Sequence, residues 1–505
     1  MAPRAVAIIP ATLVAGLVLA PLTAVLIRGG GPSALGPADW AALRFTLLQA
    51  VVSSALSVGL AIPVARALAR RRFPGRSLLI TLLGAPFILP VLVAVLGLLA
   101  VFGQNGWLSA LLGVFGLPPV QVYGLHGVVL AHVFFNLPLA TRLILQGWLS
   151  IPAERLRTAA TLDLPPFAIF RLIEGPMLRH IAPGAALIVF TLCLGSFAVA
   201  LTLGGGPAST TVELAIYQSF RFDFDLSHAA TLATVQLALV AVSALLLLRL
   251  PLGEAMGAGL DRTLRRWDAE TPRLRVLDAV WIALAATFLL LPLLAIALRG
   301  VPGLATLPAS VWQAAGFSLA VALGSTALCL ALALPLALGR GEPAALLGLA
   351  ISPLVLGTGL FLLIQPHASP FTLALPVTAL VNALMSLPFA LRALRPEVQA
   401  ITAQYGPLAQ SLDLSPHAWT FRILLPRLRR PLGFSAGLAA ALSMGDLGVI
   451  ALFADPERAT LPLQMYRLMQ GYRMESAAAA ALLLLVLSLG LFWIFDRGGR
   501  ADADT

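Results

Sequence analysis

The sequence predicts an all-α polytopic membrane protein with about twelve transmembrane helices. They are expected to form two parallel halves related by a pseudo-twofold axis along the membrane normal. Three observations carry this expectation. Of the 505 residues, 59% are hydrophobic and only 11% are charged, with a mean hydropathy of +0.94, whereas soluble domains hold about 45–50% apolar and about 25% charged residues. A soluble fold has no interior for so much apolar surface, so the solvent is a bilayer. Apolar runs long enough to cross a hydrocarbon core of roughly 30 Å recur about twelve times. The sequence also repeats. LDLPPFAIFRLIEGPMLR at 162–179 and LDLSPHAWTFRILLPRLR at 412–429 agree at half their positions, without a gap, at an offset of 250.

In chain order the runs cover residues 5–27, 45–68, 78–102, 122–145, 181–203, 229–248, 276–298, 311–338, 344–364, 373–394, 432–453 and 477–495. The first has only Arg4 ahead of it and reads as an anchor helix rather than a cleaved signal. Gly and Pro are scattered along the runs, which membrane helices tolerate. Leu137-Pro138-x-Ala140-x-Arg142 matches Leu387-Pro388-x-Ala390-x-Arg392, and Gly195 and Val199 match Gly445 and Val449, all at an offset of 250. Earlier, TLLQAVVSSALSVGLAIPVA from Thr46 matches SLAVALGSTALCLALALPLA from Ser318 at an offset of 272. The first half therefore carries 22 extra residues between these points, expected in segment 103–121 as a short external helix or loop. Residues 1–250 form the first half with its loop at about 150–180, and 251–274 a cytoplasmic linker. Residues 275–505 form the second half with its loop at about 397–430.

Arginine placement sets the orientation. With the N-terminus inside, the cytoplasmic segments receive Arg66, Arg70, Arg71, Arg72 and Arg76, the arginines of both islands, those of the linker, and Arg497 and Arg500. The other side keeps few, so both termini are expected in the cytoplasm. The net charge of +11 lies in short interhelical loops with no aromatic interleaving, which does not fit a nucleic-acid surface. Cys193 and Cys329 sit inside apolar runs as small core residues. The chain contains no lysine, which excludes a phosphate-binding P-loop. No metal-ligand spacing and no catalytic constellation stands out; no cofactor and no enzymatic activity are expected.

Each island is a polar stretch in an apolar sequence, long enough for a helix–turn–helix. AERLRTAATLD at 153–163 spaces Leu156, Ala159, Ala160 and Thr161 into a small-residue face. Asp163 precedes the turn at Pro165-Pro166 and is expected to cap the helix that follows. A plain amphipathic loop on lipid headgroups is the simpler account of one such island. Two at a fixed spacing call for two matched partners.

The pattern Ala…Ile-x-x-Pro in both islands resembles the EAA loop of binding-protein-dependent ABC importer permeases. In that family the loop is the coupling helix that docks on the ATP-binding subunit. Matched by position, the first copy supplies Ala159, Ile173 and Pro176, and the second Ala409, Ile423 and Pro426; Arg157 and Ala160 flank the first. The family's Glu position holds Arg157 and Pro407, and its Gly position holds Asp163 and Asp413. Asp tolerates left-handed backbone better than most residues. The likeness covers nearly the whole chain, as two fused type I permease domains. SFAVALTLGGGPASTTVELAIYQ from Ser196 and SMGDLGVIALF from Ser443 sharpen it toward the thiamine and thiamine pyrophosphate permeases.

The resemblance implies a permease subunit in the bacterial inner membrane, two copies of a cytoplasmic ATP-binding subunit, and a periplasmic binding protein. Asn136, Asn382 and Asp446 fall within predicted spans and are candidates to line the translocation path, although interhelical hydrogen bonding accounts for such residues as well. Glu213, Tyr217, Arg221, Arg467 and Arg473 lie in matched outer segments and are candidates for docking the binding protein. A ferric-ion or other small-solute importer is the alternative within the class, and a secondary transporter the one outside it.

Overall fold

A computed structural model describes residues 8–29, 35–84, 88–247, 249–250, 271–339, 348, 351–453 and 457–500. Most of the expected linker, with Arg262, Arg265 and Arg266, lies outside these residues, as do 344–347 and 349–350 of the ninth predicted run. Among the described residues every regular element is a helix, and eleven helices are long and apolar enough to cross a membrane. The difference from about twelve falls at the ninth run, whose described helix is only Pro353–Ile364. Its partner in the third run is equally short. Residues 78–102 are not one helix but Arg76–Leu82 followed, after Pro90, by Val91–Phe102. Twelve helical residues rise about 18 Å, short of a roughly 30 Å core; the third run counts among the eleven only with Trp107–Val114 added, as 91–114.

Proline explains where other helices start and stop. Pro37, Pro166, Pro272 and Pro353 each stand at the first helical position, where a missing N–H costs nothing. Pro152 separates Leu125–Leu149 from Ala153–Thr161. At the matching position Thr402 keeps its N–H, and the second half runs as one helix from Ala374 to Ser411. The tenth span and the start of the second loop, expected as separate elements, are thus a single 38-residue helix.

The halves are laced together. Ile8–Arg28 packs on Pro353–Ile364, and Pro272–Gly300 packs on Val91–Phe102, so each short helix is covered by the first helix of the other half. Gly97 and Gly359 make this close approach possible. A Cβ on Gly97 would stand 2.7 Å from the Pro292 carbonyl oxygen, and one on Gly359 would overlap that of Pro21. Small residues serve this role in membrane helix pairs. Gly97 and Gly359 are equivalent at an offset of 262, between the 272 and 250 found on either side. The extra residues of the first half are therefore divided: part precede Val91–Phe102, and part follow it, where Trp107–Val114 forms the expected short helix.

The outermost helices keep their leucines for lipid: Ile8–Arg28 and Pro272–Gly300 bury only 22% and 28% of their most apolar window, against 78% for Leu125–Leu149 and 83% for 429–452. On the arginine-rich face Asp278 of Pro272–Gly300 reaches the end of Pro37–Arg70. Its two oxygens accept from Arg70 Nη2 at 2.6 Å and Arg71 Nε at 2.7 Å, with Asp278 and Arg70 both buried. One carboxylate thus ties the two halves together.

Candidate functional site

The two islands fold into the same turn. Ala153–Thr161 ends at Leu162 and the chain reverses through Asp163 at φ 45°. Ala374–Ser411 ends at Leu412 and reverses through Asp413 at φ 46°. Asp163 N–H donates to the Ala160 carbonyl at 3.1 Å and Leu164 N–H to that of Ala159 at 3.1 Å. In the second copy Asp413 N–H donates to Gln410 at 3.1 Å and Leu414 N–H to Ala409 at 3.0 Å. These are Schellman motifs, which normally place glycine in the left-handed position. Asp takes it here, as expected. The capping role expected of Asp163 is corrected, because the residue closes the helix before it. The next helix starts behind Pro165 with no side-chain cap, while in the second copy the Ser415 hydroxyl accepts from Ala418 N–H at 3.2 Å.

Each turn leads into a widened π-helical turn, Phe170–Glu174 and Trp419–Leu424, with Ile173 and Ile423 half-buried inside it. Pro176 and Pro426 follow at once, and neither can donate to a regular α-helical ladder. Leu156 and Ala159 of the expected small-residue face are buried, Ala160 and Ala409 are half-buried, and Arg157 is exposed. The tips are apolar. Leu162 and Leu412 are 65% and 61% exposed, beside Phe167 at 73% in the first copy and Phe421 at 57% in the second. Apolar tips raised on a charged face are a surface for a protein partner or a membrane.

The copies differ beneath the tip. Glu174 is fully buried, pairs with Arg66 at 2.7 Å and accepts from Trp148 Nε1 at 3.3 Å. The second copy has buried Leu424 there, and Arg427 instead lies 4.2 Å over the Tyr405 ring. Sequence reading missed Glu174, although an acid flanked by apolar residues in an arginine-rich segment is a signal for a buried pair.

Within the bundle, Asn136 and Asn382 each bond inside their own half. Asn136 Nδ2 donates to the His132 carbonyl at 2.8 Å and approaches Cys193 Sγ at 3.5 Å, while Asn382 Nδ2 donates to Ser443 Oγ at 3.0 Å. Cys193 and Ser443 are equivalent in the repeat, and both asparagines are buried. Asn382 thus bonds across to another helix, whereas the shorter bond of Asn136 stays within its own helix. Asp446 is not inside a helix as the sequence implied. It lies in the break between Arg429–Met444 and Gly448–Leu452, and its Oδ1 accepts from Gly448 N–H at 3.2 Å.

The opposite face carries a second matched pair, the amphipathic helices Val212–Arg221 and Leu461–Gln470. The Thr46 hydroxyl accepts from Val212 N–H at 2.9 Å, and the equivalent Ser318 hydroxyl accepts from Leu461 N–H at 2.8 Å. The repeat at Thr46 and Ser318 was legible, but not its use as a cap from a distant helix. Tyr217 and Tyr466 occupy equivalent positions. Burial raises the Tyr217 phenol, opposed by the charges of Arg221 and Arg467. Burial and Tyr217 push Tyr466 up to about 12, against a hydrogen bond from Gln470.

Of the docking candidates, Arg473 is exposed and Arg221 and Arg467 are half-exposed. Glu213 and Tyr217 are corrected to interior residues. Glu213 is fully buried, accepts from Gln236 Nε2 at 3.0 Å, and is raised to about 7 by burial. Tyr217 is buried with its ring 5.2 Å from Phe197 and 5.9 Å from Phe222.

No family model matches the chain. It is 41% identical over 488 residues to the thiamine transport system permease protein ThiP of Salmonella typhimurium, covering 92% of this chain and 90% of that protein. It is 40% identical over 512 residues to ThiP of Brucella abortus, covering 97% and 94%. Against ThiP of Escherichia coli the identity is 41% over 484 residues, covering 91% and 89%.

Proposed function

The chain belongs to the thiamine transport system permease family, and from that premise we propose how it works. It is the multi-pass permease subunit of a thiamine ABC importer in the inner membrane, a transport subunit rather than a catalytic enzyme. Neither a ferric-ion importer nor a secondary transporter is favoured by these relatives. Residues 1–250 and 275–505 serve as two permease halves joined by a cytoplasmic linker, with both termini in the cytoplasm.

Two copies of an ATP-binding subunit dock on the two turns, one on each. The observation that carries this reading is the duplicated left-handed turn at Asp163 and Asp413, each holding an apolar tip clear of the arginine-rich face. Burying an exposed Leu or Phe on docking contributes about 1.5–3 kcal/mol each. Those few contacts are enough to hold a mechanical link. The chain has no lysine and so no P-loop of its own. ATP-driven closure of the two subunits moves the turns together. The stiff helices behind them then swing the halves, opening the path between them alternately to either side. A binding protein delivers thiamine at the opposite face, where Arg221, Arg467 and Arg473 are accessible.

The test is ATP hydrolysis by the chain reconstituted in proteoliposomes with its ATP-binding subunit and a thiamine-binding protein. Hydrolysis that requires all three proteins and rises with thiamine is the expected result. Stable assembly with no response to thiamine would refute the substrate, and failure to assemble would refute the role of the turns.

A further inference from the structure

Asp446 is a half-buried acid with one enclosed, unpartnered oxygen. Glu174 and Asp278 each hold arginine at 2.6–2.7 Å. Asp446 makes no ion pair among the described residues; its Oδ1 accepts from Gly448 N–H, and its Oδ2 is buried without a hydrogen-bond partner. The residues beside it in the chain meet both halves. A Cβ on Gly445 would lie 3.0 Å from Pro90 Cα, and one on Gly448 would lie 3.1 Å from Leu354 and 3.9 Å from Phe197. Phe197 leads in turn to the Tyr217 ring. The acid therefore sits at the seam between the halves, with Phe197 meeting the chain two residues on at Gly448.

The repeat does not require it. The matching residue of the first half is Ser196, so the acid has no counterpart across the repeat. An intramembrane carboxylate is costly and marks a path or a partner. The thiazolium ring of thiamine is a permanent cation, which no proton loss can neutralise. In a low-dielectric passage such a cation needs a counter-charge or aromatic faces.

We propose that the Asp446 carboxylate is the transient counter-anion for the thiazolium of thiamine as the substrate passes between the halves, with Phe197 and Tyr217 forming the aromatic side of the same subsite. This rests on the thiamine-importer reading above. It makes Asp446 a substrate-binding residue in a subunit whose selectivity would otherwise be set wholly by the binding protein.

The test uses the full complex in proteoliposomes, measuring thiamine uptake and ATP hydrolysed together for wild type, Asp446→Asn and Asp446→Glu. The Asn variant is expected to import thiamine roughly 10–100-fold more slowly, the loss of one charge-assisted contact, and to hydrolyse more ATP per thiamine imported. The Glu variant restores the charge and most of the uptake. Wild-type uptake by Asp446→Asn would overturn the proposal. Equal losses in both variants with an unchanged ATP-to-thiamine ratio would make the residue structural and overturn it too. A wild-type complex that imports no thiamine would refute the family-based reading instead, and this proposal with it; the wild-type control separates the two failures.

Discussion

Replacing Asp163 and Asp413 together separates backbone shape from charge in the paired turns. Both residues hold φ near +45°, and their N–H and that of the following leucine make the two hydrogen bonds that close each Schellman motif. Left-handed backbone costs an ordinary L-residue about 1–2 kcal/mol. Asp already bears part of this, so a β-branched replacement adds about 1 kcal/mol per turn. The turns are distant and their effects add, giving about 2 kcal/mol, or roughly a thirtyfold drop in the population with both turns formed. The double valine variant is therefore expected to reach the membrane but to lose most thiamine-stimulated ATP hydrolysis and uptake, and to co-purify poorly with the ATP-binding subunit. The double glycine variant removes both carboxylates and relieves the backbone, so it is expected to transport at least as well as wild type. If the glycine pair fails as badly as the valine pair, the carboxylates rather than the turn are what the partner reads. Full transport by the valine pair would mean that the left-handed turn is not needed for coupling.

Three further outcomes follow from the packing. Asp278→Asn breaks a buried carboxylate from Arg70 and Arg71, which costs about 3–5 kcal/mol; the thermal unfolding midpoint in detergent should fall by several degrees, and an unchanged midpoint would show that the clasp is not holding the halves. Gly97→Val and Gly359→Val each push a side chain into a neighbouring backbone carbonyl and should cost about 1–3 kcal/mol, read as lower yield of folded protein, whereas Gly113→Val, where a Cβ meets nothing within 4 Å, should be neutral. Glu213 is raised by burial from 4.5 to about 7, so between those values the folded chain retains a proton that the unfolded chain has released. Stability should accordingly fall as pH rises from 4.5 to 7; Glu213→Gln should flatten that slope in a pH series of unfolding midpoints, and an unaltered slope would assign it to another group.

Much of the candidate site was legible because duplication repeats a local code. The islands at 162–179 and 412–429 marked both turns, and Asp in place of Gly still predicted left-handed backbone, since that preference belongs to the residue itself. The helix break at Asp446 was less legible. Gly445 reads as one more glycine in an apolar run until Pro90 of the other half is seen against it. From sequence Glu213 and Tyr217 read as surface residues, because a polar cluster after a span looks like a wet loop. They lie on the inner side of an amphipathic helix, where Gln236 and Phe197 meet them.

By itself the sequence determined the solvent, the helical class, the duplication and the paired turns. Those follow from hydropathy, chain-local backbone preference and self-similarity, none of which needs a distant contact. Only the tertiary structure decided which short helices stay short, where the extra residues of the first half go, and that each half is covered by the leading helix of the other. It also decided that Asp278 and Glu174 find arginines, while Asp446 meets none among the described residues. A buried charge is defined by what surrounds it, and in a bilayer nearly every neighbour looks alike in sequence. The partner of a carboxylate 200 residues away is fixed by packing, which composition does not encode.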